Sequence, residues 1–148
     1  MMIDKTEILS HLRAHLNQKL NRINKLIDDK RASNTDTKSS MGDKYETARE
    51  MLNQEVNQLL QQQRLILEQQ ELLQLFQSKT STKVEQGTIV FTSFQPLIVG
   101  IGLGAVDILG QSYFCISLES PLAQHLIGLQ VGDHFQINQV QHQILAVY

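Results

Sequence analysis

Tryptophan is absent from this chain of 148 residues, which holds one cysteine, two prolines, five phenylalanines and three tyrosines. A single thiol, Cys115, makes neither an intramolecular disulfide nor a thiolate zinc site. No apolar run approaches the roughly 18–20 residues of a membrane span. Residues 1–16 lack the apolar stretch of a secretory signal. These absences lead to the expectation of a soluble, cytoplasmic protein with no membrane partner. The length allows one ordinary domain or two small ones. A formal net charge of -2 argues against a generic polyanion binder.

Lysine and arginine are also missing from a whole stretch. All 13 lie in residues 1–83, together with 11 acids, whereas residues 84–148 carry four acids and no Lys or Arg. Seven of the eight glycines and both prolines fall after residue 83. Two architectures therefore meet near that point. The expected division is a helical hairpin over 1–78 with its tip loop at about 32–42, a linker over 79–86 and a second domain over 87–148.

Residues 4–31 contain neither Gly nor Pro, and Ile8, Leu9, Leu12, Leu16, Leu20, Ile23 and Ile27 recur mostly at steps of three and four. That spacing puts one apolar stripe on a helix about 42 Å long at 1.5 Å per residue. Asp4 or Thr6 is placed to cap its start. In the second helical stretch Tyr45, Leu52, Leu59, Ile66 and Leu73 are seven apart at every step. The companion seam positions are Ala48, Glu55 or Val56, Gln62 or Gln63, Gln69 or Gln70, and Phe76. A narrow, partly glutamine heptad seam fits an antiparallel two-helix coiled coil.

After residue 83 the period shortens. Segments 87–94, 96–103, 112–118, 134–139 and 142–148 are rich in β-branched and aromatic residues and read as strands. Ser120, Pro121 and Gly128 frame one short helix. The final hairpin turn is expected at 139–141. The fold class is thus α+β, a coiled-coil hairpin followed by a small antiparallel β module with one helix.

Ile116-Ser117, Glu119 through Gly128 and Val131-Gly132-Asp133 together resemble the C-terminal domain of the Gre transcript-cleavage factors. Gly42-Asp43-Lys44-Tyr45-Glu46-Thr47-Ala48 resembles the tip motif of the same family, with Lys44 in place of a Leu and Thr47 in place of an Asn. The resemblance implies an FKBP-like fold for the C-terminal domain. It implies a transcription elongation factor that binds RNA polymerase and enters its secondary channel. There Asp43 and Glu46 would help hold a Mg²⁺ at the polymerase active site and stimulate cleavage of backtracked RNA. The protein would have no cofactor of its own, would not itself be an enzyme, and would be monomeric when free. An Asp and a Glu three apart are also an N-cap pattern, and capping can coexist with metal binding. Two other readings stay open: a secondary-channel regulator without cleavage activity, and a coiled-coil adaptor unrelated to transcription.

Lys5, Arg13, Lys19, Arg22 and Lys25 spread along the first helix. They form either a solvated face or a contact to nascent RNA in the backtracked complex, the contact the family makes. His11 and His15 are four apart, but no third ligand accompanies them. The glycines at 100, 102 and 104 lack the spacing of a phosphate loop and suggest a bend or close backbone approach. Cys115 reads as a small core residue.

Overall fold

The computed structural model describes residues 3–36 and 43–148, and the side chains of all of these except 34–36 and 43–45. The chain forms α1 (Lys5–Asp36), α2 (Asp43–Gln74), β1 (Ile89–Thr92), β2 (Leu97–Val99), β3 (Gly104–Ile108), β4 (Gln111–Ile116), α3 (Pro121–Leu126), β5 (His134–Ile137) and β6 (Val140–Val147). The expected class is the one observed: two long helices, then a mostly antiparallel sheet with one short helix. Contacts divide the chain into two compact units, Ala14–Gln70 and the combination of Met1–Arg13 with Glu71–Tyr148.

In the helical unit, Leu16, Ile23 and Ile27 of α1 and Val56 and Ile66 of α2 are buried. Polar layers separate these apolar ones. Gln63 Nε2 donates to Asn24 Oδ1 at 2.7 Å, and Gln70 Nε2 donates to Asn17 Oδ1 at 2.7 Å. A step of seven up α1 is a step of seven down α2, so the helices are antiparallel. The sequence left Gln62 or Gln63, and Gln69 or Gln70, as alternatives, and the bonds involve Gln63 and Gln70. Lys30 Nζ meets Glu55 Oε2 at 2.9 Å, an exposed bridge that contributes little on its own. The helix also runs further than expected: residues 32–36, assigned above to the tip loop, continue α1. Ser33 Oγ donates back to the Asp29 carbonyl at 3.1 Å, so this small polar residue is accommodated within the helix. Residues 37–42, including Gly42 of the tip motif, lie outside the described residues, as do the side chains of Asp43, Lys44 and Tyr45.

In the other unit Asp4 caps α1, its Oδ1 accepting from the Glu7 N–H at 3.2 Å. The strands form one sheet in the order β3-β4-β2-β1-β6-β5. The all-antiparallel expectation needs one correction, since β2 and β4 run parallel, with Leu97, Ile98 and Val99 opposite Phe114, Cys115 and Ile116. A further strand went unread in the sequence. β3 pairs with β4 through a two-residue turn, Leu109-Gly110, with φ of 53° and 79°. Asn-Gly or Asp-Gly is the usual pair there, and a leucine with positive φ costs about 1–2 kcal/mol. The last hairpin also turns earlier than expected, on Asn138 and Gln139 with φ of 51° and 68°. Asn tolerates that conformation, so Asn138 supplies half of the common turn pair.

One sheet face and α3 enclose a core of Val90, Leu97, Val99, Ile116, Ala123, Leu126, Phe135 and Ile144. Val84 joins this core, donating to the Leu129 carbonyl at 2.9 Å and accepting from Gly128 N at 2.8 Å. The segment 79–86 is thereby anchored to the β module. Ser120 Oγ accepts from Ala123 N at 3.2 Å, capping α3 as its sequence predicts. Gly100, at φ 117°, lies where an added Cβ would sit 2.9 Å from Gln86 Cγ and 3.1 Å from Phe76 Cζ. The glycine-rich stretch therefore marks a close approach of chains.

The polar layers yield a test. Gln63→Leu leaves the Asn24 carboxamide facing an apolar neighbour and is expected to lower stability by about 1 kcal/mol in urea denaturation. Adding Asn24→Leu is expected to recover the loss while weakening register specificity. A single variant as stable as the parent would show that these bonds contribute nothing.

Candidate functional site

The acid pair is placed by the start of α2. Asp43 is its first residue and Glu46 lies three residues on, so both belong to one side of the first turn. The Glu46 side chain is exposed. A helix start suits carboxylates, because the unpaired N–H groups there carry partial positive charge. Carboxylate oxygens are the donors a hard cation such as Mg²⁺ prefers, and one or two of them are usual in a Mg²⁺ site. The donor chemistry therefore fits the ion. Two carboxylates are still fewer than its octahedral shell requires. Among the described residues no group of three or more His, Cys, Asp or Glu is arranged to hold a metal.

The cations of α1 separate into different environments. Lys19, Arg22 and Lys25 follow at steps of three in the helical unit; Arg22 and Lys25 are exposed and Lys19 is half-buried. Arg13 is exposed as well, but it belongs to the other unit, where it lines a cleft with Thr6, Leu9 and the segment 76–79. Lys5 departs from the solvated-face expectation. Only 5% of it is exposed, and Nζ donates to the Lys79 carbonyl at 3.0 Å. Burial lowers its pKa, opposed by the charge of Glu85. Its aliphatic stem packs while its head is satisfied by backbone, so Lys5 ties the start of α1 to residue 79.

His15 sits four residues before Lys19 and seven before Arg22. Burial first, then the charges of Lys19 and Arg22, lower its pKa from 6.5. A neutral imidazole is thus favoured amid cations. Cys115 is buried in β4, and desolvation pushes its thiol up to about 12. A thiol held protonated in this way is no nucleophile.

No helix among the described residues is long and apolar enough to cross a membrane. No protein-family model matches the sequence, and no curated protein matches it. Among solved structures, the transcription factor Gfh1 is similar at 16% identity over 92% of each chain, with a TM-score of 0.37. The GreA factor homolog 1 (Gfh1) protein of Thermus thermophilus is 18% identical over 92% of this chain and 94% of that one, with a TM-score of 0.35. Thermus aquaticus Gfh1 is 15% identical over 98% of this chain and 94% of its own, again at 0.35. Overlaps this loose leave the functional reading to the residues of this chain.

The His15 environment sets a pH dependence. The folded state holds its proton more weakly than the unfolded state, so stability is full above the ordinary histidine value. It declines as pH falls from about 6.5 through the lower folded-state pKa. Thermal unfolding at about pH 7.5 and about pH 5.5 should show this decline, and His15→Gln should reduce it. An unchanged pH profile in the variant would assign the decline to other groups.

Proposed function

We propose that this chain is a Gre-like transcription elongation factor that acts on RNA polymerase in the cytoplasm. The observation that carries the reading is the helix start at Asp43, with Glu46 exposed one turn later, at the connection end of an antiparallel two-helix seam. The signature of the C-terminal module supports it. Ser120 caps α3, Gly128 leaves it at φ 87°, and Gly132 turns at φ 92°. Asp133 Oδ2 accepts from Gln130 N at 2.8 Å. Ser120, Gly128, Gly132 and Asp133 thus each have a defined place in the fold of that module.

The β module docks on the polymerase, and the hairpin presents Asp43 and Glu46 within the secondary channel. There the two carboxylates would be the oxygen ligands this chain offers to a Mg²⁺, and the polymerase and the RNA phosphates would offer the rest. That ion would supply charge neutralisation at the scissile phosphate and a more acidic water. Glu46, solvent-facing before docking, would orient that water or serve as one of the ligands. Lys19, Arg22 and Lys25, and separately Arg13, are the cations available to backtracked RNA. The chain remains an activator whose hydrolytic site is completed by its partner.

The alternative of a channel regulator without cleavage rests on Lys44, which adds a positive charge between the two acids. A cleavage assay on an artificially backtracked polymerase decides between the two readings. Stimulated cleavage is expected from the parent chain. Asp43→Ala with Glu46→Ala should abolish stimulation and preserve binding. Binding by the parent without stimulation would favour the regulator, and unchanged kinetics in the double variant would remove the acids from the mechanism.

A further inference from the structure

The cleft beside Arg13 has a volume of about 440 Å³, within the range of about 300–1,000 Å³ usual for small-molecule sites. Thr6, Leu9 and Arg13 follow at steps of three and four along α1, and Phe76, Ser78 and Lys79 line the other side. All of them belong to one compact unit. The floor is firm, with Leu9 1% exposed and Phe76 5%. The Phe76 ring is wedged against two glycines, where an added Cβ would sit 3.3 Å from it at Gly87 and 3.1 Å at Gly100. The Lys79 backbone is fixed as well, since its carbonyl accepts from Lys5 Nζ at 3.0 Å. The polar groups of the cleft are unengaged. Among the described residues neither the Arg13 guanidinium nor the Lys79 ammonium makes a hydrogen bond or ion pair, and the hydroxyls of Thr6 and Ser78 make none. No described Asp or Glu lines this cleft, because the acids of the same turn, Asp4 and Glu7, line a different one with Ile8.

We infer that this cleft binds a nucleoside diphosphate, with its phosphates on Arg13 and Lys79 and its base over Leu9 and Phe76. Two cations with no acid between them call for an anion of at least two charges. A terminal phosphate carries about two at neutral pH, whereas each phosphodiester of a nucleic acid carries one. Arginine meets phosphate oxygens with paired N–H donors, and lysine adds a mobile point charge. The Thr6 and Ser78 hydroxyls supply neutral donors beside them. An apolar floor under a cationic rim suits a ligand with a flat body rather than phosphate alone. The inference goes beyond the function proposed above and does not depend on it, since Lys19, Arg22 and Lys25 belong to the other unit. The ligand touches both α1 and the segment 76–79, so its binding stabilises the folded chain.

Calorimetric titration of the full chain with ADP should show one saturable site, and ADP should raise the thermal midpoint. Arg13→Gln and Lys79→Gln should each weaken ADP binding about tenfold, the low end for a lost hydrogen bond to a charged group. Both side chains are exposed, so the two variants should melt like the parent when no ADP is present. Arg13→Lys keeps the charge without the paired donors and should fall between parent and Arg13→Gln. Lys25→Gln makes the same charge change in the other unit and should leave ADP affinity unchanged. Pyrophosphate should bind more weakly than ADP. Absence of saturable ADP binding overturns the inference. An equal loss in Lys25→Gln overturns it by reducing the binding to general charge attraction. Pyrophosphate bound as tightly as ADP overturns the assignment of a nucleotide. A short single-stranded RNA that binds more tightly than ADP and is displaced by it overturns it too, by giving Arg13 and Lys79 to the transcript. Each of these failures leaves the reading of Asp43 and Glu46 standing.

Discussion

Among the described residues, the bonds of Gln63 to Asn24 and of Gln70 to Asn17 hold the register of α1 against α2. Apolar heptads alone permit slippage, since one Leu or Ile layer resembles the next. A slip of seven residues in one direction sets Asn24 against Val56 and leaves a carboxamide facing an apolar neighbour. A slip in the other direction carries the partner of Asn17 beyond the end of α2. Either slip also parts Lys30 from Glu55. A polar residue in a coiled-coil seam trades stability for a single alignment. That alignment fixes where α2 begins relative to α1, and hence where Asp43 and Glu46 are offered.

Much of this was legible in the sequence because the signals were local. Seven-residue spacing revealed the seam, and Ser120, Pro121 and Gly128 bounded α3 at once. Asp4 likewise capped α1 as its position suggested. What escaped notice depended on partners distant in sequence. The parallel pairing of β2 with β4 cannot be read from either strand, since both are short apolar runs. β3 was hidden because its glycine-rich approach reads as a bend, and because Leu109-Gly110 is a poor textual signal for a two-residue turn. Lys5 looked like one more surface cation, and only its bond to the carbonyl of Lys79 shows otherwise. The acid pair was legible as a spacing of three, which serves a cap and a metal ligand equally.

The two kinds of motif residue differ in what they can establish. Ser120, Gly128, Gly132 and Asp133 are accounted for by caps, positive φ and hydrogen bonds within the β module. They define a fold, and fold alone does not imply function. Asp43 and Glu46 stand at a helix start, where a spacing of three serves a capping box as well as a pair of metal ligands. Glu46 is exposed, and the proposal about chemistry depends on that exposure.

The proposed function divides the labour between two molecules. Two carboxylates leave most of an octahedral Mg²⁺ shell to a partner. Under that proposal, oxygen ligands lie on one molecule and the remainder of the coordination shell on another, so that neither part commits a metal before the two have docked. The Asn–Gln layers that position α2 would serve the proposed arrangement, because a ligand supplied in trans must arrive at a fixed height along the helix.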